Sequence, residues 1–454
     1  MMGEAVMKNA PLLDAIIVGL GESGLAAAQY LAAKGCAVAV MDSRDQPPKA
    51  AALQAAHPQV ELVTGGFSEE HLIRAREIVV SPGVDTRLPV FQRARDRGQP
   101  LIGEIELFAR AVTAPVIAIT GSNGKSTVTR MVDAMARAAG VRAATGGNLS
   151  PAALSLLADQ PDAELYILEL SSFQLETVQS LRPIVSAVLN LTPDHLDRYD
   201  SMADYAAAKA RILNGAGAVV LNADQHWVES MAAGDASRHW FAADADRPMI
   251  RWHLLEHGGE RWLAHAGEPL LACSELPVVG RHNALNALAA LAIGHAAGWP
   301  MEAMIDGLRA FQPLPHRSES LGWVAGRLWI NDSKATNVAS AVAAVTGMDQ
   351  PLVLLAGGDG KGQDFADLGE ALAGRGRAAV VFGQDAPVLG RVLGDSVSVQ
   401  SVADLKAAVR VALEISEPGD AIVLAPACAS LDQFSDYRER GEHFRALVEE
   451  LGDG

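Results

Sequence analysis

Continuous apolar runs, each stopped by glycine or a polar turn, recur along the chain: "DAIIVGLG", "PVIAITGS", "AELYILEL", "SAVLNL", "PLVLLAGG", "AAVVFG" and "DAIVLAP". They lack the alternation of a strand with one wet face, so they predict strands buried on both sides, as in parallel sheets. Between them lie alanine-rich stretches of helical period, such as "LAAAQYLAAKG" and "TVTRMVDAMARAAG", and a longer one, "RHNALNALAALAIGHAAGW", which sets Asn283 and Asn286 on one face. Strand–helix alternation predicts an α/β protein of three domains. The reading is a Rossmann-like N-terminal domain over residues 1–103, a P-loop ATPase-like central domain over 104–313 and a Rossmann-like C-terminal domain over 314–454. The proline-rich stretch "FQPLPHRSES" reads as the linker before the third domain, with a hinge near Phe311 to Pro315.

Length agrees with this division, since 454 residues at roughly 150 per domain give about three cores. The net charge of −17 and the lack of a basic stripe argue against nucleic acid or an anionic membrane as a partner. Small phosphorylated ligands stay open, because backbone N–H groups, a helix N-terminus and Mg²⁺ can hold them whatever the global charge. Cys36, Cys273 and Cys428 lie far apart with no zinc spacing, which suits a reducing compartment. Glu4, Lys8, Pro11 and Asp14 break the first apolar stretch, so neither a signal peptide nor a spanning helix fits there. A cytoplasmic monomer is the expectation.

Two glycine loops carry candidate chemistry. In the first, Gly19, Gly21 and Gly24 follow a strand in G-x-G-x-x-G spacing, and a second strand ends at Asp42, near where an acid would take a ribose hydroxyl. These glycines bring a phosphate to a helix N-terminus without choosing the nucleotide, so a nicotinamide or flavin cofactor stays open at this point. In the second, Gly121, Ser122, Asn123 and Gly124 precede Lys125, Ser126 and Thr127 between a strand and a helix. That context suits phosphate binding, with Lys125 as a point charge and a hydroxyl for Mg²⁺. The loop is a short G-x-x-G-K-S variant, since Ile119 stands where the longer form has glycine.

Downstream strands end in further candidates. Glu169, Ser171 and Gln174 follow "LYIL", and a strand ending at Asn190 leads to Asp194, His195 and Asp197. Each alone reads as a cap or a loop hydrogen bond, but their shared position after successive strands points to a metal–nucleotide site.

"TGSNGKST", "ELSSFQLE", "NLTPDHLDRY" followed by Lys209, "GRHNALNALAA", "LPHR", "INDSKATN", "LLAGGDGKG" and "PACASLDQF" together resemble the Mur ligases of bacterial cell-wall synthesis, over nearly the whole chain. The resemblance implies that the first domain holds the UDP end of a substrate in place of a dinucleotide, so that the two loops cradle two different phosphate groups. It implies that ATP and Mg²⁺ convert the carboxylate of UDP-N-acetylmuramoyl-L-alanine to an acyl phosphate, which the amine of D-glutamate attacks. Residues Gly121 to Gly124 with Lys125 would hold the transferring phosphoryl group; Thr127 belongs to the same loop. Ser126 and Glu169 would ligate one Mg²⁺, and His195 with a carbamylated Lys209 a second. Without the resemblance Lys209 reads as a surface helix lysine. Asn286, Arg317 and Asp332 would contact the nucleotide, Asp332 at the ribose hydroxyls. Gly21, Ser23, Asp42, Ser43, Arg44, Gly83 and Asn148 match the UDP-sugar channel, whereas Glu22 would repel a diphosphate unless its side chain turns away. Lys334, Thr336, Lys361, Ser430, Leu431 and Tyr437 match the D-glutamate positions. Members that add a diamino acid carry a D-x-x-R motif; here Phe434 and Ser435 follow Asp432 and Gln433, which favours glutamate.

Rival classes remain at this stage. An NAD-dependent oxidoreductase explains the first loop and leaves the second idle. A non-catalytic nucleotide-binding ATPase explains the second loop but not the third domain. Another ligase of the superfamily, such as a folylpolyglutamate synthase or a different Mur ligase, explains most of both.

Overall fold

The structure, a computed structural model, describes residues 12–194, 198–231, 234–313, 315–348 and 350–452. Its contacts group into two compact units, one running to Trp240 and including Ala292–Met304, the other comprising Phe241–Leu291 and the chain from Ile305 onward.

The first unit contains two sheets. Strands β1 (Leu13–Val18), β2 (Val38–Met41), β3 (Glu61–Val63), β4 (Ala75–Val80) and β5 (Leu101–Ile102) form a five-stranded sheet in the order β3-β2-β1-β4-β5. Strands β6 (Val116–Thr120), β7 (Ala143–Gly147), β8 (Leu165–Glu169), β9 (Val185–Val188), β10 (Ala218–Asn222) and β11 (Ser237–Phe241) follow in the order β11-β10-β9-β6-β8-β7. Strands β1 to β5 are parallel in the one sheet and β6 to β10 in the other. In β6, β8, β9 and β10 every residue is buried, which is why their apolar runs are continuous: helices cover both faces. One apolar cluster joins Ile17, Ala27 and Leu31 of the first sheet layer to Phe108, Leu154 and Leu170 of the second. Burial on this scale, at about 25 cal/mol per Å² of apolar surface, is the main favourable contribution to this unit's folding.

The second unit holds an antiparallel ribbon and another α/β layer. The ribbon consists of β12 (Ile250–His257), β13 (Glu260–His265) and β14 (Glu268–Ala272). Strands β15 (Glu319–Val324), β16 (Arg327–Asn331), β17 (Leu352–Gly357), β18 (Gly376–Phe382), β19 (Ser398–Ser401) and β20 (Ala421–Leu424) form a sheet in the order β15-β16-β20-β17-β18-β19. Only β15 runs antiparallel. The α/β layers match the reading from apolar runs. The ribbon was not anticipated, because Trp252, His253, Trp262 and His265 interleave with charged residues and form no continuous run.

Candidate active site

The second glycine loop joins β6 to the helix Lys125–Ala138 and is tied down from the side by the segment after β9. Asn190 Oδ1 accepts from the Asn123 amide at 2.8 Å, and Asn190 Nδ2 donates to the Asn123 carbonyl at 3.0 Å. Ser122 Oγ donates to the Thr192 carbonyl at 3.1 Å and stands 3.0 Å from the Tyr205 hydroxyl. The loop is thus held in shape by its own protein, a condition for binding phosphate without a large ordering cost. Lys125 Nζ donates to the Gly121 and Ser122 carbonyls at 2.9 and 2.8 Å, so its charge lies over the loop.

Glu169, the last residue of β8, is buried beside this loop. Its two carboxylate oxygens accept from Ser126 Oγ and from Asn148 Nδ2, each at 2.7 Å. Ser171 and Gln174, two residues singled out in the sequence, form a capping box at the helix Ser172–Leu175. His195 and Asp197 lie outside the described residues.

Lys209 is not a surface lysine. Its side chain is buried in the helix Met202–Ala210, its ammonium donates to the Gly121 carbonyl at 2.8 Å and to Thr120 Oγ1 at 3.3 Å, and it stands 4.8 Å from the Tyr205 ring centre. Burial, with the like charge of Lys125 added, pushes this amine well below its usual range. The helix side chains around it are alanines, so no charge pattern marks it as buried.

The first glycine loop is as closely packed. A Cβ at Gly24 would lie 1.9 Å from the Gly19 carbonyl oxygen, so no larger residue fits there. Asp42 is fully engaged: its oxygens accept from the Leu20 amide at 2.7 Å, from the Arg44 amide at 2.9 Å and from Arg44 Nε and Nη2 at 2.8 and 2.7 Å. The Arg44 guanidinium holds this carboxyl down at about 2. Asp42 therefore positions Arg44. Space opens at Gly21 and Gly83, where an added Cβ would meet nothing within 4 Å, and Ser23 and Ser43 border the same turns. Glu22 is turned onto the Ser150 hydroxyl. The segment Gly147 to Ser150 thus joins Glu22 of the first loop to Glu169 beside the second, Ser150 bonding the one and Asn148 the other.

In the second unit, the ends of β16, β17 and β20 converge on one buried cation. Arg440, in the helix Tyr437–Gly452, donates to Ser333 Oγ at 3.0 Å and to the carbonyls of Ser333, Gly357 and Cys428 at 2.9, 3.2 and 3.1 Å. All four acceptors are uncharged, and burial lowers the guanidinium to about 10. The sequence hides this residue, since "RERGEH" reads as a solvated helix face. Residues predicted for D-glutamate sit on the loops that Arg440 ties. Lys334 Nζ lies 4.2 Å over the Tyr437 ring, Thr336 donates its amide to the Lys334 carbonyl, Ser430 is buried, Leu431 is exposed, and Lys361 takes a left-handed φ of 51°. In the same unit Asn286 donates to Asn283 Oδ1 at 3.1 Å, and Arg317 lies near enough to Asp332 to favour its carboxylate.

Among the described residues no cluster of three or more His, Cys, Asp or Glu side chains could hold a metal, and no helix is long and apolar enough to cross a membrane.

Three family profiles match the chain in series: "Mur ligase MurD-like, N-terminal domain" over residues 14–103, "Mur ligase middle domain" over 119–294 and "Mur ligase, glutamate ligase domain" over 316–428. The chain is 49% identical over 441 residues to the UDP-N-acetylmuramoylalanine–D-glutamate ligase of Pseudomonas aeruginosa, covering 96% of this chain and 98% of that one. It is 47% identical over 453 residues to the enzyme of the same name from Nitrosococcus oceani, covering 98% and 99%. Solved structures share the fold at lower identity. A pseudomurein peptide ligase type C from Methanothermus fervidus aligns with a TM-score of 0.60 at 19% identity, over 96% of this chain and all of that one. The UDP-N-acetylmuramate-alanine ligase of Thermotoga maritima aligns at 0.57 and 18%, over 96% and 99%.

Proposed function

The chain belongs to the Mur ligase family, and from that premise we propose that it joins D-glutamate to UDP-N-acetylmuramoyl-L-alanine, with ATP as the driving co-substrate, in peptidoglycan precursor synthesis. The observation that carries the two-loop reading is the segment Gly147 to Ser150, which bonds one glycine loop through Ser150 and the other site through Asn148. A substrate with a diphosphate at one end and a carboxylate at the other needs two such sites on one rigid support.

The chemistry then follows in two steps. A carboxylate oxygen of the L-alanyl group bonds to the γ-phosphorus as the bond to ADP breaks. The amine of D-glutamate next attacks the carbonyl carbon of that acyl phosphate, inorganic phosphate leaves, and the nitrogen sheds a proton as the amide forms. Loop amides from Gly121 to Gly124 and the Lys125 ammonium hold the phosphoryl group, with Thr127 behind them. Ser126 Oγ and the Glu169 carboxylate present oxygen donors side by side at a strand end, the set that Mg²⁺ takes, and a bound ion would neutralise phosphate charge there. The buried, deprotonation-prone Lys209 amine is suited to add carbon dioxide, and as a carbamate it would serve a second ion together with His195.

Gly21, Ser23, Ser43, Arg44 and Gly83, with Asp42 holding Arg44 in place, take the UDP end. Asn286, Arg317 and Asp332 take the nucleoside of ATP. Lys334, Thr336, Lys361, Ser430, Leu431 and Tyr437 take D-glutamate, whose two carboxylates call for charge-assisted donors. We place the domains at 1–103, 104–313 and 314–454 and assign the protein to the cytoplasm as a monomer. The test is ADP release from the purified protein with ATP, Mg²⁺ and UDP-N-acetylmuramoyl-L-alanine, across a panel of amino acids. Release should depend on D-glutamate; preference for L-lysine, diaminopimelate or L-alanine would overturn the named substrate and leave the ligase chemistry standing.

A further inference from the structure

Three side chains of the second unit, far apart in sequence, form one hydrogen-bonded line. His282 Nε2 lies 2.9 Å from Ser318 Oγ, and Ser318 Oγ donates to Asp332 Oδ2 at 3.2 Å. His282 begins the helix Arg281–Ala296, Ser318 ends the linker before β15, and Asp332 follows β16. A carboxylate only accepts, so the single Ser318 proton goes to Asp332, and the imidazole proton must then sit on Nε2. Burial pushes the imidazole down to about 4, against the pull of the Ala343 backbone, which keeps it neutral, and lifts the Asp332 carboxyl to about 6, against the pull of the Ser318 backbone and hydroxyl. Ser318 is buried and held at a φ of 44°, a conformation that serine adopts at a cost. A glycine would relieve that strain; the hydroxyl is what serine adds.

We propose that His282 and Ser318 are positioning residues that fix Asp332 Oδ2, leave Oδ1 to read a ribose hydroxyl, and thereby set the affinity for ATP without touching it. This rests on the reading of Asp332 as a nucleotide contact. The Ser318 hydroxyl denies Asp332 other rotamers, and His282 denies Ser318 other acceptors.

The test compares ATP with 2′-deoxy-ATP and 3′-deoxy-ATP, by KM in the full ligase assay, for the parent, Ser318→Gly, His282→Phe and Asp332→Asn. The parent should prefer ATP over at least one deoxy analogue by roughly tenfold, the scale of one hydrogen bond to a charged group. Ser318→Gly should lose most of that preference while its melting temperature holds or rises, and KM for D-glutamate should stay within twofold. His282→Phe should lose it in part and supplies the same comparison if the glycine variant melts early. Full preference retained in both variants overturns the relay. No preference in the parent, with Asp332→Asn equal to it, overturns the ribose reading and the relay with it.

Discussion

Lys209 shows how far one residue's surroundings outrun its sequence context. Among the alanines of "YAAAKA" it carries no sign of burial, yet it lies against the Gly121 carbonyl with its amine pushed well below the usual range. Lys209→Ala should lose at least ~10²-fold in turnover, the scale of one preorganised charge contact. If the carbamate is the working form, acetate should restore part of that loss; rescue by methylamine and not by acetate would assign the role to the free amine. Glu104 offers a second test at this scale. It is buried, one oxygen accepts from the Leu154 amide at 2.6 Å, the other has no partner, and burial lifts its carboxyl to about 7. The folded value exceeds the unfolded one, so the folded state holds the extra proton between about 4.5 and 7. Its contribution to stability is complete below that window and lost as pH rises through it. Glu104→Gln should therefore match the parent near pH 4 and exceed it near pH 8 by on the order of 3 kcal/mol. Equal denaturant midpoints relative to the parent at both pH values would refute this.

Among the elements, β7 and β8 show why a strand end makes a site. Gly147 pairs with Glu169 in register, and a Cβ at Gly147 would lie 2.5 Å from the Glu169 carbonyl oxygen, at a φ of 104°. That carbonyl also accepts from the Asn148 amide at 2.8 Å. Gly147→Ala should destabilise the protein by roughly 1–3 kcal/mol and reduce turnover further than that loss explains, because Glu169 moves with its backbone. Thermal melting and a saturating-ATP assay check both; unchanged turnover in a destabilised variant would separate Glu169 from the chemistry. Strands such as β6 and β8 were legible because burial on both faces writes a continuous apolar run. The glycine loops were legible because phosphate is held by backbone in a fixed spacing. The ribbon β12 to β14 was not, since a half-buried strand that uses tryptophan and histidine leaves no such run.

At the scale of the whole molecule, two phosphate sites on one chain must be told apart by their ligands. In a dinucleotide fold the acid after the second strand accepts from a ribose; here both Asp42 oxygens are already taken by Leu20 and Arg44. Calorimetry should find that UDP binds and that NAD⁺ neither binds tightly nor competes; tight NAD⁺ binding indifferent to UDP would restore the oxidoreductase reading. That distinction could not be read from G-x-G-x-x-G, because the spacing specifies a turn and leaves the nearby arginine unmentioned. Arg440 adds a dimension of time. Its guanidinium joins Ser333, 107 residues earlier, Gly357, 83 residues earlier, and Cys428, 12 residues earlier. Such contacts close only after the intervening chain has found its place, and loop closure slows with that separation. The phosphate loop waits on partners almost as distant, since Asn190 lies 67 residues from Asn123 while Thr192 and Tyr205 lie 70 and 83 from Ser122. During refolding, nucleotide grip and the amino-acid pocket should therefore both return late, and a newly made molecule should gain its two substrates' sites at nearly the same moment.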